Sequence, residues 1–269
     1  MSAAAAEAVG AALSRARKHL EGRGARREAR YVAVLEGDGG REAFLADAVA
    51  CQDAGGALAG LVAGDAPGPG VASTADALGW LVGLGVTEGS LVEGAAAYLA
   101  KRQEADGGWQ DAAAPGERGA VVLSAALCGT LARCPAARLS SLRRAAAYLG
   151  ARWSEARVRA GSYPEIAGYL HAFASLHGDV DVADEALQWC GRELERGFRT
   201  GAFEAAAVAH VFVLCDAAAL PGAGLRAAEV VEALLRAQAP DGSFPGPGSL
   251  EGSTCRAALA LRHLAAALR

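Results

Sequence analysis

Three glutamates and two histidines stand where acid–base chemistry would need them. Glu117, Glu165 and Glu204 each open a strongly apolar run: ERGAVVLSAALCGTLARC, EIAGYLHAFASLHG and EAAAVAHVFVLCDAAAL. His171 and His210 lie inside the second and third of those runs. A carboxylate beside an imidazole makes an acid–base pair, since histidine changes charge near neutral pH. A group of acids at one end of several helices could also hold a cation or polarise a substrate. Trp80, Tyr163, Tyr169, Phe173 and Phe212 are the aromatic candidates for a surrounding binding surface. Simpler roles compete with each of these. A first-turn glutamate complements the helix dipole, and a histidine on an apolar helix is often a satisfied core residue. Ser162, Thr74 and Thr254 have no evident partner that would make them nucleophiles.

These residues are carried by a repeat. The stretch YLAKRQEADGGWQ, Tyr98 to Gln110, places Gln103 four residues before Gly107 and six before Trp109. LLRAQAPDGSFP repeats the phrase with Gln238, Gly242 and Phe244, and Gln52 precedes Gly55-Gly56-Ala57. Trp153 and Leu194 occupy the glutamine position in two weaker copies, so successive anchors are spaced by 51, 50, 41 and 44 residues. Four breaks end in Gly-x-aromatic: Gly107-Gly108-Trp109, Gly161-Ser162-Tyr163, Gly201-Ala202-Phe203 and Gly242-Ser243-Phe244. A helix with charges on one side precedes each break, and a more apolar helix follows it. A helix apolar nearly all round is buried, whereas an amphipathic one lies outside. The pattern predicts twelve helices, near 3–21, 26–36, 41–53, 72–85, 91–105, 116–133, 137–155, 163–177, 181–197, 203–219, 223–239 and 252–268. The fold class is all-α, and Gly64 to Gly70 and Pro245 to Gly248 read as loops. Six such pairs either stack as an open array or close into a ring, and closure leaves no exposed ends. The expected architecture is one (α/α)6 toroid over residues 1–269, six helices inner and six outer, with residues 1–40 the least typical repeat.

The motif in Tyr98-Leu99, Gln103, Gly107-Gly108-Trp109 resembles the repeat of squalene–hopene and oxidosqualene cyclases. The same α/α toroid occurs in protein prenyltransferase β subunits. The resemblance covers residues 40–269. It implies that glutamine reaches backbone groups of a neighbouring helix end, and that the apolar lumen acts on or binds an isoprenoid chain. Terpene cyclases of this kind use an Asp-x-Asp-Asp acid, and this chain has none. Aligning Ala120-Val121-Val122 with the run that follows that motif puts Glu117 at the acid's position, with Arg118 and Pro115 in place of its supporting aspartates. The zinc site of the prenyltransferases needs Asp-x-Cys and a later histidine. Asp-x-Cys is missing, and Ser253-Thr254-Cys255 stands where that histidine would precede Thr-Cys. DVDVAD, Asp179 to Asp184, opens an outer helix and reads as a cap; Asp181 and Asp184 are too short a match for magnesium chelation. No metal and no cofactor are therefore expected. The implied catalytic candidates are Glu117, Glu165, Glu204 and His210. The implied substrate contacts are Trp80, Tyr163, Tyr169, His171, Phe173 and Phe212. The opposing reading is a non-catalytic lipid- or peptide-binding toroid or scaffold.

Composition sets the remaining expectations. The chain of 269 residues is 52% hydrophobic, enough for a large core, but only 6% aromatic, which supplies few ring faces for a carbocation. A net charge of −4 gives no field that would recruit nucleic acid. The six cysteines are scattered without a CxxC, as buried thiols of a cytoplasmic protein would be. No apolar run reaches the roughly 18 residues of a membrane span, and the order of charges in the first 20 residues does not fit a signal peptide. Arg15, Arg17, Lys18, Arg23, Arg26, Arg27 and Arg30 make a basic N-terminal segment, and Arg138, Arg143, Arg144, Arg152, Arg157 and Arg159 a second. Either could meet a diphosphate, an acidic protein or a membrane surface, or simply be a solvated face.

Overall fold

A computed structural model describes residues 3–62, 68–112, 114–176 and 181–268. These are all-α. Thirteen helices are present among them: α1 (Ala3–Gly22), α2 (Arg26–Glu36), α3 (Arg41–Ala50), α4 (Val71–Gly83), α5 (Ser90–Lys101), α6 (Glu117–Ala132), α7 (Leu139–Arg152), α8 (Glu155–Arg159), α9 (Tyr163–Ser175), α10 (Ala183–Arg199), α11 (Ala205–Leu214), α12 (Ala227–Ala237) and α13 (Leu250–Ala267). Part of the expected Gly64–Gly70 loop, position 177 of the eighth expected helix, and Asp179 lie outside the described residues. No helix among the described residues is long and apolar enough to cross a membrane.

The thirteenth helix comes from a break that periodicity missed. The expected helix over 137–155 ends at Arg152, because Trp153 turns extended (φ −75°, ψ 141°). Ser154 then restarts the chain as α8, its Oγ accepting the Arg157 N–H at 3.2 Å. Trp153 therefore ends its helix as Gln238 does, which is also extended. Leu194 does not, since α10 runs through it to Arg199.

The glutamine repeat is a clasp between successive pairs. Gln103 Nε2 donates to Gly107 O at 2.8 Å and to Ser141 O of α7 at 2.9 Å. Gln52 Nε2 does the same with Gly56 O (3.1 Å) and Leu91 O of α5 (2.9 Å). Gln238 Nε2 reaches Gly242 O (3.0 Å) and Ala12 O of α1 (2.9 Å). Each clasp bonds its own turn and the first helix of another pair, and the last one runs from the end of α12 to α1. In every case the turn glycine has positive φ and lies against the backbone three residues further along the clasped helix. A Cβ on Gly56, Gly107 or Gly242 would sit 2.3–2.4 Å from the carbonyl oxygen of Gly94, Arg144 or Arg15. Only glycine meets both demands.

The residue two past that glycine then plugs into the second helix of the pair. The N–H groups of Leu58, Trp109 and Phe244 donate to Thr74 Oγ1 (2.9 Å), Ser124 Oγ (2.8 Å) and Thr254 Oγ1 (3.1 Å). All three side chains are fully buried. Trp109 Nε1 also donates to Leu99 O at 2.9 Å, satisfying a carbonyl at the C-terminal end of α5. The second helices pack on one another in series: α2 on α13, α13 on α11, α11 on α9, α9 on α6, and α6 on α4. Tyr31 of α2 meets Trp80 of α4 edge-on at 5.1 Å.

Gly242→Ala should therefore cost far more than the same change at Gly24, whose φ is also positive but whose Cβ would meet nothing within 4 Å. We expect losses of about 3 kcal/mol and about 1 kcal/mol respectively in urea unfolding, the excess being the backbone collision. Gln238→Ala should lose about 2 kcal/mol through the two hydrogen bonds its amide donates to backbone carbonyls.

Candidate functional site

The second helices α4, α6, α9, α11 and α13 surround a cavity of about 790 Å³. Most of its wall is alanine, glycine and branched apolar residues, including Val82, Val122, Leu123, Val213, Leu214 and Leu259. The small residues follow from composition: alanine and glycine on a second helix leave room where larger side chains would meet. Gly79 of α4 lies in the wall, and a Cβ there would meet nothing within 4 Å.

Polar or charged residues also line it, among them Asp111, Arg118, Arg133, Ser162 and Ser253. Asp76, in the second turn of α4, lines the cavity, and its Oδ2 accepts the Trp80 Nε1 hydrogen at 3.0 Å. Burial raises its carboxyl from its ordinary value, while the Trp80 hydrogen bond and Arg256 pull it back. The Arg256 guanidinium lies over the Trp80 ring, 5.8 Å from its centroid, and donates to Pro247 O at 2.6 Å. Tyr163 donates its hydroxyl to Ala207 O at 2.7 Å. His171 and His210 also line the cavity. Burial, with Arg133 nearby, pushes His171 down to about 3. Burial, with Arg256 and His171 nearby, pushes His210 down to about 3. Both imidazoles are neutral at physiological pH.

The expected site residues fall into two groups. Trp80, Tyr163, His171 and His210 lie together on the cavity wall. Tyr169, Phe173 and Phe212 do not. They are buried in the core, where Tyr169 stacks on Phe173 (5.7 Å between centroids) and donates its hydroxyl to Arg152 O at 3.2 Å. Periodicity places these three on apolar helices but cannot say which side of a nearly uniform helix meets the cavity.

The three glutamates are also outside the wall. Glu117 is exposed and pairs with Arg157 Nη1 at 2.9 Å. Glu165 is only 1% exposed. Its carboxylate takes Arg157 Nε (3.2 Å) and Arg118 Nε (2.9 Å), and Oε2 accepts the Ser162 N–H at 3.3 Å. This is a capping box opening α9. Glu204 is the exposed N-cap of α11. Asp76 was not singled out from sequence. Its signal was present, however: a lone carboxylate inside the otherwise uncharged VASTADALGWLVG, four residues before a tryptophan.

Most arginines of the two basic segments bond other residues of the chain. Arg15 bonds the Gln238 side chain, Arg23 bonds Glu251 (2.6 Å), and Arg17 and Arg30 pair with acids of the next helices or turns. Arg144 bonds Gln103 (2.7 Å), Arg152 bonds Asp106 (3.1 Å), and Arg159 bonds Glu155 (2.7 Å). All six cysteines are free thiols, and burial pushes Cys128 and Cys215 up to about 12.

Comparison with protein-family models and with curated proteins finds no match to this chain. The functional reading therefore rests on the cavity and on the sequence resemblance.

The histidines make folding sensitive to acid. His171 has a folded pKa lowered to about 3, against roughly 6.5 unfolded. Below pH 6.5 the unfolded chain takes up a proton that the folded chain refuses, so stability is full above neutrality and falls as pH drops. The loss from His171 should be roughly 2 kcal/mol at pH 5. Urea unfolding from pH 7.5 to 4.5 should show a shallower decline for His171→Phe than for wild type.

Proposed function

We propose that the six helix pairs close into an (α/α)6 toroid whose lumen binds an isoprenoid chain, and that the protein is terpene cyclase-like. What supports closure is the Gln238 clasp from the last pair onto α1, with the same register as the two clasps inside the chain. What carries the functional reading is the cavity itself. Its volume, about 790 Å³, falls in the roughly 300–1,000 Å³ range of small-molecule sites, and its wall is mainly apolar, with Arg118, Arg133 and Arg256 among its charged groups. A packed lumen would have suited a scaffold instead.

Asp76 is the acid that this reading favours. Burial shifts its carboxyl toward the protonated form that a proton donor needs. On transfer to a substrate alkene, its O–H bond breaks and a C–H bond forms. The carboxylate left behind keeps the Trp80 N–H, with Arg256 nearby. The cation on the substrate then loses a proton to water, and the Asp76 carboxylate takes one back from solvent. Glu117 is exposed and ion-paired outside the cavity, so it is not assigned this role.

The test is incubation with farnesyl diphosphate, geranylgeranyl diphosphate and squalene, following both binding and product. Gly79→Phe should intrude into the cavity and weaken binding at least tenfold while the protein stays folded, since its Cβ enters open space. Asp76→Asn should keep binding and lower turnover at least a hundredfold, and Glu117→Gln should leave turnover within twofold. Binding without product in wild type would select the non-catalytic lipid-binding alternative. Binding unaffected by Gly79→Phe would remove the cavity as the site.

A further inference from the structure

The cavity reaches the surface at the end where the second helices begin. Ala114, Arg118, Pro247 and Gly248 all line it there and are all exposed. Pro247 and Gly248 belong to a strap, Pro245-Gly246-Pro247-Gly248, held between two anchors. Before it, the Phe244 side chain is buried and its N–H donates to Thr254 Oγ1 at 3.1 Å. After it, Ser249 caps α13, its Oγ accepting the Gly252 N–H at 3.1 Å. The two prolines carry no N–H and hold φ fixed, while the two glycines can turn. Gly248 has φ +85°.

Two contacts hold the strap against α13, and they oppose each other. Arg256 Nη2 donates to Pro247 O at 2.6 Å, and this bond ties the strap to the cavity wall. Gly246 lies on Ser253, where a Cβ would come 2.1 Å from the serine Oγ. Ser253 is 1% exposed, and its hydroxyl has no hydrogen-bond partner among the described residues. A buried hydroxyl left unpaired costs about as much as a hydrogen bond from a charged group gains. Lowering the strap therefore makes one bond and strands one hydroxyl. Raising it breaks the bond and lets water reach Ser253, so the two positions are close in free energy.

We propose that residues 245–248 are a lid on the cavity, latched by Arg256 and raised to admit and release the ligand. The latching guanidinium also lies over the Trp80 ring, so the lid closes beside the indole that holds Asp76. The lid is a property of the mouth, holds for any apolar occupant, and does not rest on the isoprenoid reading. Glycine hinges beside a short stiff segment suit such a motion.

The test follows entry and exit of Nile red, an apolar dye that brightens on leaving water, by stopped flow on the whole chain. The signal is the part that Gly79→Phe removes. Wild-type association should level off at high dye, because lid opening then sets the rate. Arg256→Met removes the latch, and Gly246→Ala drives the strap off Ser253. Each should raise both entry and exit rates at least tenfold and leave Kd within threefold, since a lid obstructs both directions equally. Ser253→Ala, which removes the stranded hydroxyl, should slow both rates at least threefold. Gly246→Ala combined with Ser253→Gly, which clears the colliding atoms, should return both rates to within threefold of wild type. Rates unchanged in Arg256→Met and Gly246→Ala would overturn the lid. So would a weaker Kd carried by exit alone, which marks Arg256 as a wall contact. Absence of the Gly79-sensitive signal in wild type and in both opened variants would also overturn it, because a raised strap must admit the dye. Each of these leaves the isoprenoid reading standing. Gated dye entry without binding of farnesyl diphosphate, geranylgeranyl diphosphate or squalene would overturn that reading and support the lid.

Discussion

A single amide group holds each clasped joint of this structure together. A helix that ends leaves carbonyls without partners, and a turn that ends a helix tightly leaves more. Glutamine at that position donates both hydrogens of its amide, one to the carbonyl of its own turn and one to the next clasped helix. The geometry works only if two backbones come close, and that closeness is what excludes a Cβ from Gly56, Gly107 and Gly242. The plug residues Leu58, Trp109 and Phe244 then fix how far each second helix lies from its turn. Clasp, glycine and plug form one unit, and the joints that lack it, at Trp153 and Leu194, are also where the helix boundaries depart from the regular pattern.

Because the clasps and plugs satisfy the backbone at the periphery, the second helices are free to be almost wholly apolar and small. That choice has two consequences. Helices rich in alanine and glycine pack closely on one another, as α6 and α9 do where Gly168 lies against Ala125. Around the cavity the same small residues leave space that no side chain fills. Polar groups placed in that space lose water, and this determines their chemistry. It raises the carboxyl of Asp76 and keeps His171 and His210 neutral. The acids that stayed at the helix starts met arginines instead. Arg157 alone bridges Glu117 and Glu165, so a row of acids that looks catalytic along the chain becomes a set of caps and ion pairs.

The fold class and most helix bounds were legible in the sequence because they depend on local rules. Apolar periodicity marks helices, glycine marks their ends, and a recurring Gln-x3-Gly marks the joints. The extra helix α8 escaped because its cause is one serine capping three residues ahead, a signal no stronger than many that come to nothing. The cavity wall was half legible. Trp80, Tyr163, His171 and His210 were among the residues named from their helices, while Tyr169, Phe173 and Phe212 sit on other sides of equally apolar helices. Where a helix is buried on every side, periodicity carries no information about which side meets a neighbour and which meets a cavity.

The sequence by itself determined that the chain is a series of helix pairs joined by glycine turns, because helix propensity, capping and turn conformation act over a few residues. Tertiary structure alone decided which polar groups keep water and which lose it. Asp76 and Glu117 are both carboxylates near the start of a second helix. One faces an apolar cavity beside an indole and the other faces solvent beside Arg157. That difference arises from what other helices bring: α6, α9, α11 and α13 take water away from Asp76, while Arg157 reaches Glu117, groups far away in the chain and adjacent only after folding.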